Sequence, residues 1–340
     1  MTLFALDDDT VERPMGQAVT SEDASTQAET STPYIFTDWL PWYQGIDRAV
    51  GTSDLAFDTA LPVARKQNVN VLRIDLQNSG VSFCTTPTGG MYQTIGDTVT
   101  GFLSANPTVM VAINANFSWY DTDAVGGNFA LMGLAVSQGN VVCDPRIPAP
   151  QPTPKQTADV PNDTYAGAMA MLISQENGVT FQRVTQADPN WPSDTYTAIA
   201  GSPNPGEGWP PQPYVPGQPL LLVDNGVNQA TPEACPAERI AGRTAVGASA
   251  DGLYLYLVTL DGCENAAWPN GGAFYDIAQW LIIAGASTGL NLDGGGSTAM
   301  ACRDSNNNPI LMNVPYGAES LPGVQRAVGN FFGVITQPLS

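Results

Sequence analysis

Residues 290–298 read Leu-Asn-Leu-Asp-Gly-Gly-Gly-Ser-Thr, a short strand that ends in a carboxylate and continues into three glycines. The glycines after Asp293 remove the Cβ atoms from this loop, so that backbone N–H groups can approach a ligand oxygen. Such a loop suits an anion. A tight turn that needs positive φ angles explains the same residues equally well, and both interpretations stay open at this point.

The segments before this loop predict two strands and a buried helix. Residues 243–249 and 253–260 each read as a strand, and residues 250–252 read as the turn between them. Residues 274–285 follow helical spacing and are apolar nearly all round, which is typical of a helix in the centre of a fold.

Two earlier segments, residues 69–76 and 109–117, alternate with period two and therefore predict strands. A short helix is expected between them, over residues 97–105. Proline-dense stretches at 145–161 and 203–219 predict long surface loops. Together these patterns predict a mixed α+β fold, a strand-rich single domain with one buried helix and long Pro-rich loops.

Composition excludes several classes of protein. The 340 residues include 12 basic and 32 acidic side chains and no histidine, which gives a net charge of −20 and a pI near 4.1. Nucleic acid and anionic membranes are not expected partners, because both bind a basic face. Without histidine there is no Ser-His-Asp or Cys-His nucleophile and no H-E-x-x-H zinc helix, so acid and base chemistry falls to Asp, Glu, Tyr or Cys.

Residues 1–33 are acidic and contain almost nothing apolar after Leu6, which predicts a flexible tail ahead of one domain over residues 34–340. An assembly partner that orders this tail stays open. No apolar run is long enough to span a membrane, and the first thirty residues show no signal peptide. We expect an extracellular or cell-surface protein, with a virion as one such setting, whose signal was removed before residue 1 or whose export uses another route.

Five cysteines occur without any C-x-x-C pair: Cys84, Cys143, Cys235, Cys263 and Cys302. An extracellular setting favours one or two disulfides over five reduced, buried thiols. An odd number leaves at least one thiol unpaired in a monomer.

Several polar residues lie inside or at the ends of the predicted strands. Asp261 ends one strand and could be a base, a nucleophile or a turn former. The arginines at 73, 243 and 326 could bind phosphate or could simply form ion pairs. Asn114 and Asn116 could hydrogen-bond sugar hydroxyls, or they could satisfy buried backbone groups.

Seven short strings, in order from about Tyr43 to Val334, resemble the phosphodiester glycosidase family, which includes the lysosomal uncovering enzyme. The strings are Tyr43-Gln44-Gly45-Ile46, Val71-Leu72-Arg73-Ile74-Asp75-Leu76, Ala112-Ile113-Asn114-Ala115-Asn116-Phe117, Gly242-Arg243-Thr244-Ala245-Val246-Gly247, Leu257-Val258-Thr259-Leu260-Asp261-Gly262, Asn291-Leu292-Asp293-Gly294-Gly295-Gly296-Ser297-Thr298 and Arg326-Ala327-Val328-Gly329-Asn330. One departure is Phe331, where bacterial relatives often have histidine.

The resemblance implies a hydrolase that cleaves a sugar-1-phosphodiester in a phosphoglycan or glycoconjugate. We expect Asp261 and Asp293 to be the catalytic carboxylates. The phosphate leaves as a stabilised anion and needs little protonation, so a histidine is dispensable. The expected binding residues line the same site: Arg73, Asp75, Asn114, Asn116, Arg243, Thr244, Gly294, Gly295, Gly296, Ser297, Thr298 and Arg326.

No cofactor and no catalytic metal are expected, and a structural Ca²⁺ ion stays open. The ligand is expected to be a carbohydrate or a sugar phosphate. Two other functions remain as alternatives. One is a non-catalytic glycan-binding or structural surface or virion protein that keeps the fold, and the other is an ordinary α-glycosidase acting on a neutral polysaccharide.

Overall fold

The computed structural model describes residues 34–57, 65–90, 93–120, 124–146, 169–185, 188–202, 219–231, 240–263, 270–317 and 321–339. All of them belong to one compact unit, Pro33–Ser340. The expected acidic tail, residues 1–33, and most of both Pro-rich loops lie outside the described residues, so those expectations stay predictions.

The described part is rich in strands, as the sequence predicts. In chain order the strands are β1 Tyr34–Phe36, β2 Leu40–Tyr43, β3 Ile46–Ser53, β4 Gln67–Asp75, β5 Ser82–Thr85, β6 Gln93–Ile95, β7 Val109–Asn114, β8 Ser118–Tyr120, β9 Asn128–Leu131, β10 Ala135–Ser137, β11 Asn140–Cys143, β12 Met169–Ser174, β13 Val179–Arg183, β14 Thr195–Gly201, β15 Val223–Asp224, β16 Val227–Asn228, β17 Arg243–Ala248, β18 Tyr254–Leu260, β19 Thr288–Asn291, β20 Met300–Arg303, β21 Pro309–Leu311 and β22 Phe331–Ile335. The α-helices are α1 Val99–Ala105 and α2 Phe274–Ala284, and one 3₁₀ turn spans Gly295–Ser297.

The strands form four sheets. The largest, called here the main sheet, has nine strands in the order β1-β3-β4-β18-β17-β19-β15-β16, with β2 paired to β3. The second sheet, called here the β7 sheet, has the order β21-β20-β7-β22-β5. Two smaller sheets have the orders β11-β10-β14-β12-β13 and β6-β9-β8.

The main sheet is buried on both faces. One face packs against the β7 sheet, where Leu72 and Leu257 share a core with Ile113. The other face packs against α2, where Val71 and Trp280 share a second core. Strand β4 supplies residues to both cores because successive side chains point to opposite faces, as its period of two predicts.

Helix α2 is buried as its apolar composition predicts, and one acidic side chain holds its first turn. The Asp276 carboxylate accepts hydrogen bonds from the backbone N–H groups of Phe57 and Ala273, both at 2.8 Å. It also pairs with Arg65 at 2.6 Å, and both side chains are fully buried. Gly285, in the left-handed conformation at φ 110°, ends the helix.

The short helix and the strands expected from local patterns are confirmed, with small shifts at their ends. Helix α1 starts after Thr98, whose side chain accepts the N–H of Gly101. The last strand begins at Phe331. Residues ahead of it leave the β7 sheet, and Val328 forms a bridge with Asp97 instead.

No disulfide joins any two of Cys84, Cys143, Cys263 and Cys302, and all four are buried. The expected disulfides are therefore absent among these four cysteines, which lie in the core as free thiols. Cys235 lies outside the described residues, so a disulfide that includes it stays a prediction.

Two of these thiols are expected to be chemically inert in the folded protein. Burial raises the pKa of Cys84 to about 12 and also raises the pKa of Cys302. Both therefore stay protonated at neutral pH, and the thiolate is the reactive form. We expect iodoacetamide to modify neither residue in the native protein and both in guanidinium chloride, as read by peptide mass spectrometry. Modification of either thiol under native conditions would contradict this burial.

Candidate functional site

The candidate site lies at one end of three neighbouring strands of the main sheet, where β17 begins and β18 and β19 end. Gly242, the residue before β17, packs closely against two other segments of the site. A Cβ atom on Gly242 would lie 3.0 Å from Thr298 Oγ1 and 3.1 Å from the carbonyl oxygens of Gly262 and Gly295. The residue after Asp261 and the glycine loop, residues 294–298, therefore meet here, and a side chain at position 242 would be tightly packed between them.

Asp261 directly follows β18 and is 7 % exposed. Its Oδ1 accepts hydrogen bonds from Asn313 Nδ2 at 3.1 Å and from the Val314 N–H at 3.0 Å. Burial raises the pKa of Asp261 to about 6, although these two hydrogen bonds act in the opposite direction. Asp261 is therefore a carboxyl group that changes charge near neutral pH.

Asn313 joins Asp261 to the glycine loop. Its Nδ2 also donates to the Thr298 carbonyl at 3.4 Å, and its Oδ1 accepts the Met300 N–H at 2.7 Å. Sequence reasoning missed this residue. The available signal is that Asn313 is the one polar side chain in the otherwise apolar run 310–314.

Asp293 opens the glycine loop and is partly exposed. Its N–H donates to the Ala115 carbonyl at 3.0 Å, and its own carbonyl accepts Asn114 Nδ2 at 2.6 Å. Its Oδ1 accepts the N–H of Gly294 at 3.0 Å. Asn114, the last residue of β7, and Ala115, the residue after it, thus hold the backbone of Asp293 in place.

The glycine loop uses most of its N–H groups within the chain. The N–H of Gly294 donates to Asp293, that of Gly295 to the Gly242 carbonyl at 2.8 Å, and those of Ser297 and Thr298 to the loop itself. These four groups therefore stabilise the shape of the loop. Gly295 has φ +59°, so the turn interpretation of the triple glycine accounts for part of the pattern.

Arg243 lies beside the glycine loop. A Cβ atom on Gly294 would be 3.9 Å from Arg243 Cδ. The Arg243 Nε donates to the Gly272 carbonyl at 2.9 Å, and its guanidinium carbon lies 4.0 Å from the centre of the Phe274 ring. The first turn of α2 thus holds a buried cation next to the loop.

The segment that contains Arg326 reaches the same region through Gly317. Gly296 faces the carbonyl oxygens of Tyr316 and Gly317, and the backbone N–H of Arg326 packs so tightly on Gly317 that a Cβ there would clash. The structure therefore brings Asp261, Asp293 and Arg243 to the glycine loop, and the Arg326 backbone reaches it through Gly317.

Arg73 and Asp75 are not brought to this loop. Val69 on β4 pairs with Leu260 on β18, which in turn pairs with Arg243 on β17. Arg73 lies four residues further along β4 than Val69, a separation of about 13 Å along the strand. Its guanidinium pairs with Asp47 at 2.6 Å and stacks on Trp39. Asp75 accepts the Gln77 N–H at 2.9 Å in a turn.

The expected sugar-binding amides are used inside the protein. Asn116 donates to the carbonyls of Met132 and Leu134 and accepts from the Ala200 N–H and from Asn330. All four of its hydrogen-bonding positions are filled, so the buried-backbone interpretation describes Asn116.

Asn114 and Thr244 also hold the scaffold together. Asn114 Oδ1 accepts the Thr244 hydroxyl at 2.7 Å and the Ala299 N–H at 3.1 Å. In contrast, the Thr298 hydroxyl is buried without a hydrogen-bond partner among the described residues. An unsatisfied buried hydroxyl next to Asp261 marks a place for a water or a ligand atom.

Phe331 stands where bacterial relatives often have histidine, and its ring is a core residue. It is 1 % exposed and stacks on Phe102 with ring centres 5.1 Å apart. Within the described residues, no three His, Cys, Asp or Glu side chains are grouped as metal ligands. No described helix is long and apolar enough to cross a membrane.

The raised pKa of Asp261 gives a prediction for stability. Its pKa of about 6 in the folded protein exceeds the value of about 3.9 expected in the unfolded chain. The folded state therefore binds a proton more tightly, and the free energy of unfolding falls as pH rises from about 4 to about 6. Asp261→Asn removes this loss, so we expect it to stabilise the protein at pH 7 by on the order of 2 kcal/mol.

Thermal unfolding at pH 4.5 and pH 7 measures this effect, with the exposed Asp224→Asn variant as the matched control. The advantage of Asp261→Asn should shrink at the lower pH, whereas the control should differ little from the wild type at either pH. An Asp261→Asn variant that melts well below the wild type at pH 7 would indicate a turn-forming role instead.

Comparison with known proteins agrees with this architecture. A family model described as Phosphodiester glycosidase matches residues 108–335, about two thirds of the chain. No curated protein matches the sequence. The catalytic domain of zebrafish N-acetylglucosamine-1-phosphodiester alpha-N-acetylglucosaminidase, auto-inhibited by its pro-peptide, is similar in structure with a TM-score of 0.58 and 16 % identity, over 90 % of this chain and 89 % of that one.

A protein from Burkholderia pseudomallei K96243 that is described as exported is similar with a TM-score of 0.51 and 14 % identity, over 89 % of this chain and 96 % of that one. At these identities the two structures support the fold alone. The family assignment comes from the family model, whose matched range holds Asp261, Arg243 and the whole glycine loop. The chain belongs to the phosphodiester glycosidase family.

Proposed function

We propose that this protein hydrolyses the glycosidic bond of a sugar-1-phosphodiester, with Asp261 as its central catalytic residue. One observation carries the proposal. Asp261 is a nearly buried carboxyl group with a pKa of about 6, held on one oxygen by Asn313 and Val314 beside the glycine loop. Strongly perturbed groups of this kind are concentrated at functional sites.

The negative charges of Asp261 and Asp293 assign a role to each carboxylate in the proposed hydrolysis. As a general base, ionised Asp261 takes a proton from a water molecule that attacks the anomeric carbon. The bond from this carbon to the phosphate oxygen breaks, and the phosphate keeps the electron pair. Asp293 stabilises the positive charge that develops on the sugar ring, as a second carboxylate does in glycosidases generally.

Arg243 is the cation we assign to the leaving phosphate. It is buried beside Gly294, and a guanidinium in a water-poor setting stabilises an oxyanion more strongly than one in bulk water. The Thr298 hydroxyl, which lacks an acceptor, supplies a further donor. An extracellular setting remains part of this proposal, supported by the exported protein that shares the fold.

Substitution tests these assignments. We expect Asp261→Asn and Asp293→Asn each to lower kcat for an aryl sugar-1-phosphodiester at least a hundredfold, because each carboxylate acts on charge that develops in the transition state. The exposed Asp224→Asn variant should keep full activity. Wild-type activity in either site variant would remove that residue from the mechanism.

The pH dependence gives a separate test. Since Asp261 acts in its ionised form, kcat/KM should rise as pH increases through about 6 and then stay flat to pH 8. Arg243 keeps its charge over this range and adds no limb of its own. Activity that falls instead of rising between pH 5.5 and 7 would make Asp261 an acid and reverse the assigned roles.

A non-catalytic glycan-binding protein is the second candidate, and Phe331 is the observation that favours it. A buried phenylalanine ring occupies the position at which bacterial relatives often have histidine. Turnover of aryl sugar-1-phosphodiesters and of plain aryl α-glycosides, measured beside glycan binding, separates the candidates. Binding without turnover at any pH supports the second candidate, and turnover of plain glycosides alone supports an ordinary α-glycosidase.

A further inference from the structure

The side chain of Asn313 is held in one orientation, and this orientation decides which atom it presents to Asp261. The Met312 N–H donates to the Met300 carbonyl at 2.9 Å, so Asn313 directly follows a backbone contact with β20. The Met300 N–H in turn donates to Asn313 Oδ1 at 2.7 Å. Only an oxygen can accept this bond, so the amide nitrogen of Asn313 is the atom that faces Asp261.

This amide nitrogen has two acceptors, and one of them is a carboxylate. Asn313 Nδ2 donates to Asp261 Oδ1 at 3.1 Å and to the Thr298 carbonyl at 3.4 Å. Asn313 is 6 % exposed and Asp261 is 7 % exposed. A hydrogen bond to a charged acceptor is stronger in such a water-poor setting than in bulk water. Asn313 therefore stabilises the ionised form of Asp261 more than the protonated form.

The same contacts fix the position of the Asp261 carboxylate. The Asp261 N–H donates to the Asn68 carbonyl at 2.9 Å, which holds the main chain at the end of β18. Oδ1 of Asp261 accepts from Asn313 Nδ2 and also from the Val314 N–H at 3.0 Å. With the main chain and one oxygen held, the side chain cannot rotate freely. The second oxygen, Oδ2, therefore has a defined position.

Oδ2 is the oxygen of Asp261 that is left for a substrate or a water molecule. It has no hydrogen-bond partner in the described part of the chain, and it is not one of the fully enclosed polar atoms that lack a partner there. Part of its surface is therefore accessible. A general base needs an oxygen that reaches the proton it removes. Oδ2 meets this need while Oδ1 takes both internal hydrogen bonds.

Among the described residues, Asn313 is the side chain that favours the ionised form of Asp261. Burial raises the pKa of Asp261, and the hydrogen bonds from Asn313 and Val314 are the two contacts that lower it. Neither Arg243 nor Asp293 changes this pKa. Val314 donates through its backbone, which a substitution leaves in place. The contribution of Asn313 can therefore be removed by itself.

We propose that Asn313 is a positioning residue for the general base, because its amide holds Asp261 with Oδ2 toward the attacking water and keeps the carboxylate ionised. This inference rests on the proposed function and adds to it a residue that does not touch the substrate. Since Asn313 acts through Asp261, its loss should change kcat and the pH dependence of the reaction rather than KM.

Asn313→Asp separates this role from a structural one. The new side chain is as large as the amide, and one of its oxygens can still accept the Met300 N–H, so the structural hydrogen bond is kept. Its other oxygen turns the donor that faces Asp261 into an acceptor. Two neighbouring carboxyl groups cannot both ionise easily, so the pKa of one of them rises.

Asn228→Asp is the matched control for the added charge. Asn228 also accepts a backbone N–H, that of Ala230 at 3.0 Å, and also donates to a backbone carbonyl, that of Tyr275 at 3.0 Å. No carboxylate is among these partners. Asn313→Leu is a second variant of the positioning residue, because it removes the donor without adding a charge.

Carbon-13 NMR of the aspartate carboxyl groups measures the pKa of Asp261 in the full chain, with Asp261→Asn used to assign its signal. We expect this pKa to rise from about 6 to about 7 or above in Asn313→Leu, because a hydrogen bond to a charged group contributes that much. In Asn313→Asp the two carboxyl groups titrate as a pair, and the higher step should rise likewise. Wild-type titration in both Asn313 variants would overturn the inference.

Kinetics separates failure of this inference from failure of the proposed function. For an aryl sugar-1-phosphodiester, both Asn313 variants should move the rising limb of kcat/KM from about 6 to about 7 or above. They should also lower kcat at pH 8 about tenfold, because Oδ2 is no longer held in place. KM should stay unchanged in Asn313→Leu, and Asn228→Asp should keep the wild-type profile.

A lower melting temperature with an unmoved limb would show that Asn313 is only structural and would reject the inference. A raised pKa of Asp261 in the Asn313 variants, without turnover of any diester by the wild type, would support control of the Asp261 charge by Asn313 and reject the proposed function.

Discussion

The side-chain amide of Asn114 is the contact on which the arrangement of the candidate site depends. It is fully buried at the end of β7, where it donates to the Asp293 carbonyl and accepts from the Thr244 hydroxyl and the Ala299 N–H. A buried amide that loses such partners is costly, so this one residue fixes three chain segments at once. Through it the β7 sheet sets the position of the glycine loop against the main sheet.

Around this fixed frame, close packing of backbone positions the polar residues of the candidate site. A Cβ atom on Gly242 would be in tight contact with oxygens of Gly262, Gly295 and Thr298. The two strand ends that carry Asp261 and Arg243 are therefore held within contact distance of the loop. Burial of Asp261 raises its pKa. A carboxyl group buried in this way lowers stability at neutral pH.

Three arginines in the described part of the chain have a structural role. Arg65 pairs with Asp276 under α2, Arg303 donates to backbone carbonyls, and Arg73 pairs with Asp47. A buried guanidinium needs acceptors for its N–H groups, and Arg303 finds them in the backbone carbonyls of several segments, which it thereby holds together. Arg243 also donates to a carbonyl, but it does so beside the glycine loop, and for this reason we propose it as the cation that binds the phosphate.

The sequence by itself determined the elements of the fold and the family. The alternation in residues 69–76 and 109–117, the apolar helix at 274–285 and the carboxylate before three glycines are local patterns, and local patterns are set by side-chain geometry alone. Only the tertiary structure decided which polar residues share a site. Asn313 donates a hydrogen bond to Asp261, which lies 52 residues earlier in the chain. Arg73 pairs with Asp47 far from the glycine loop, and the side-chain amide of Asn116 has all its hydrogen bonds inside the protein. These outcomes follow from strand register and packing between distant segments, which no periodicity within a single segment specifies.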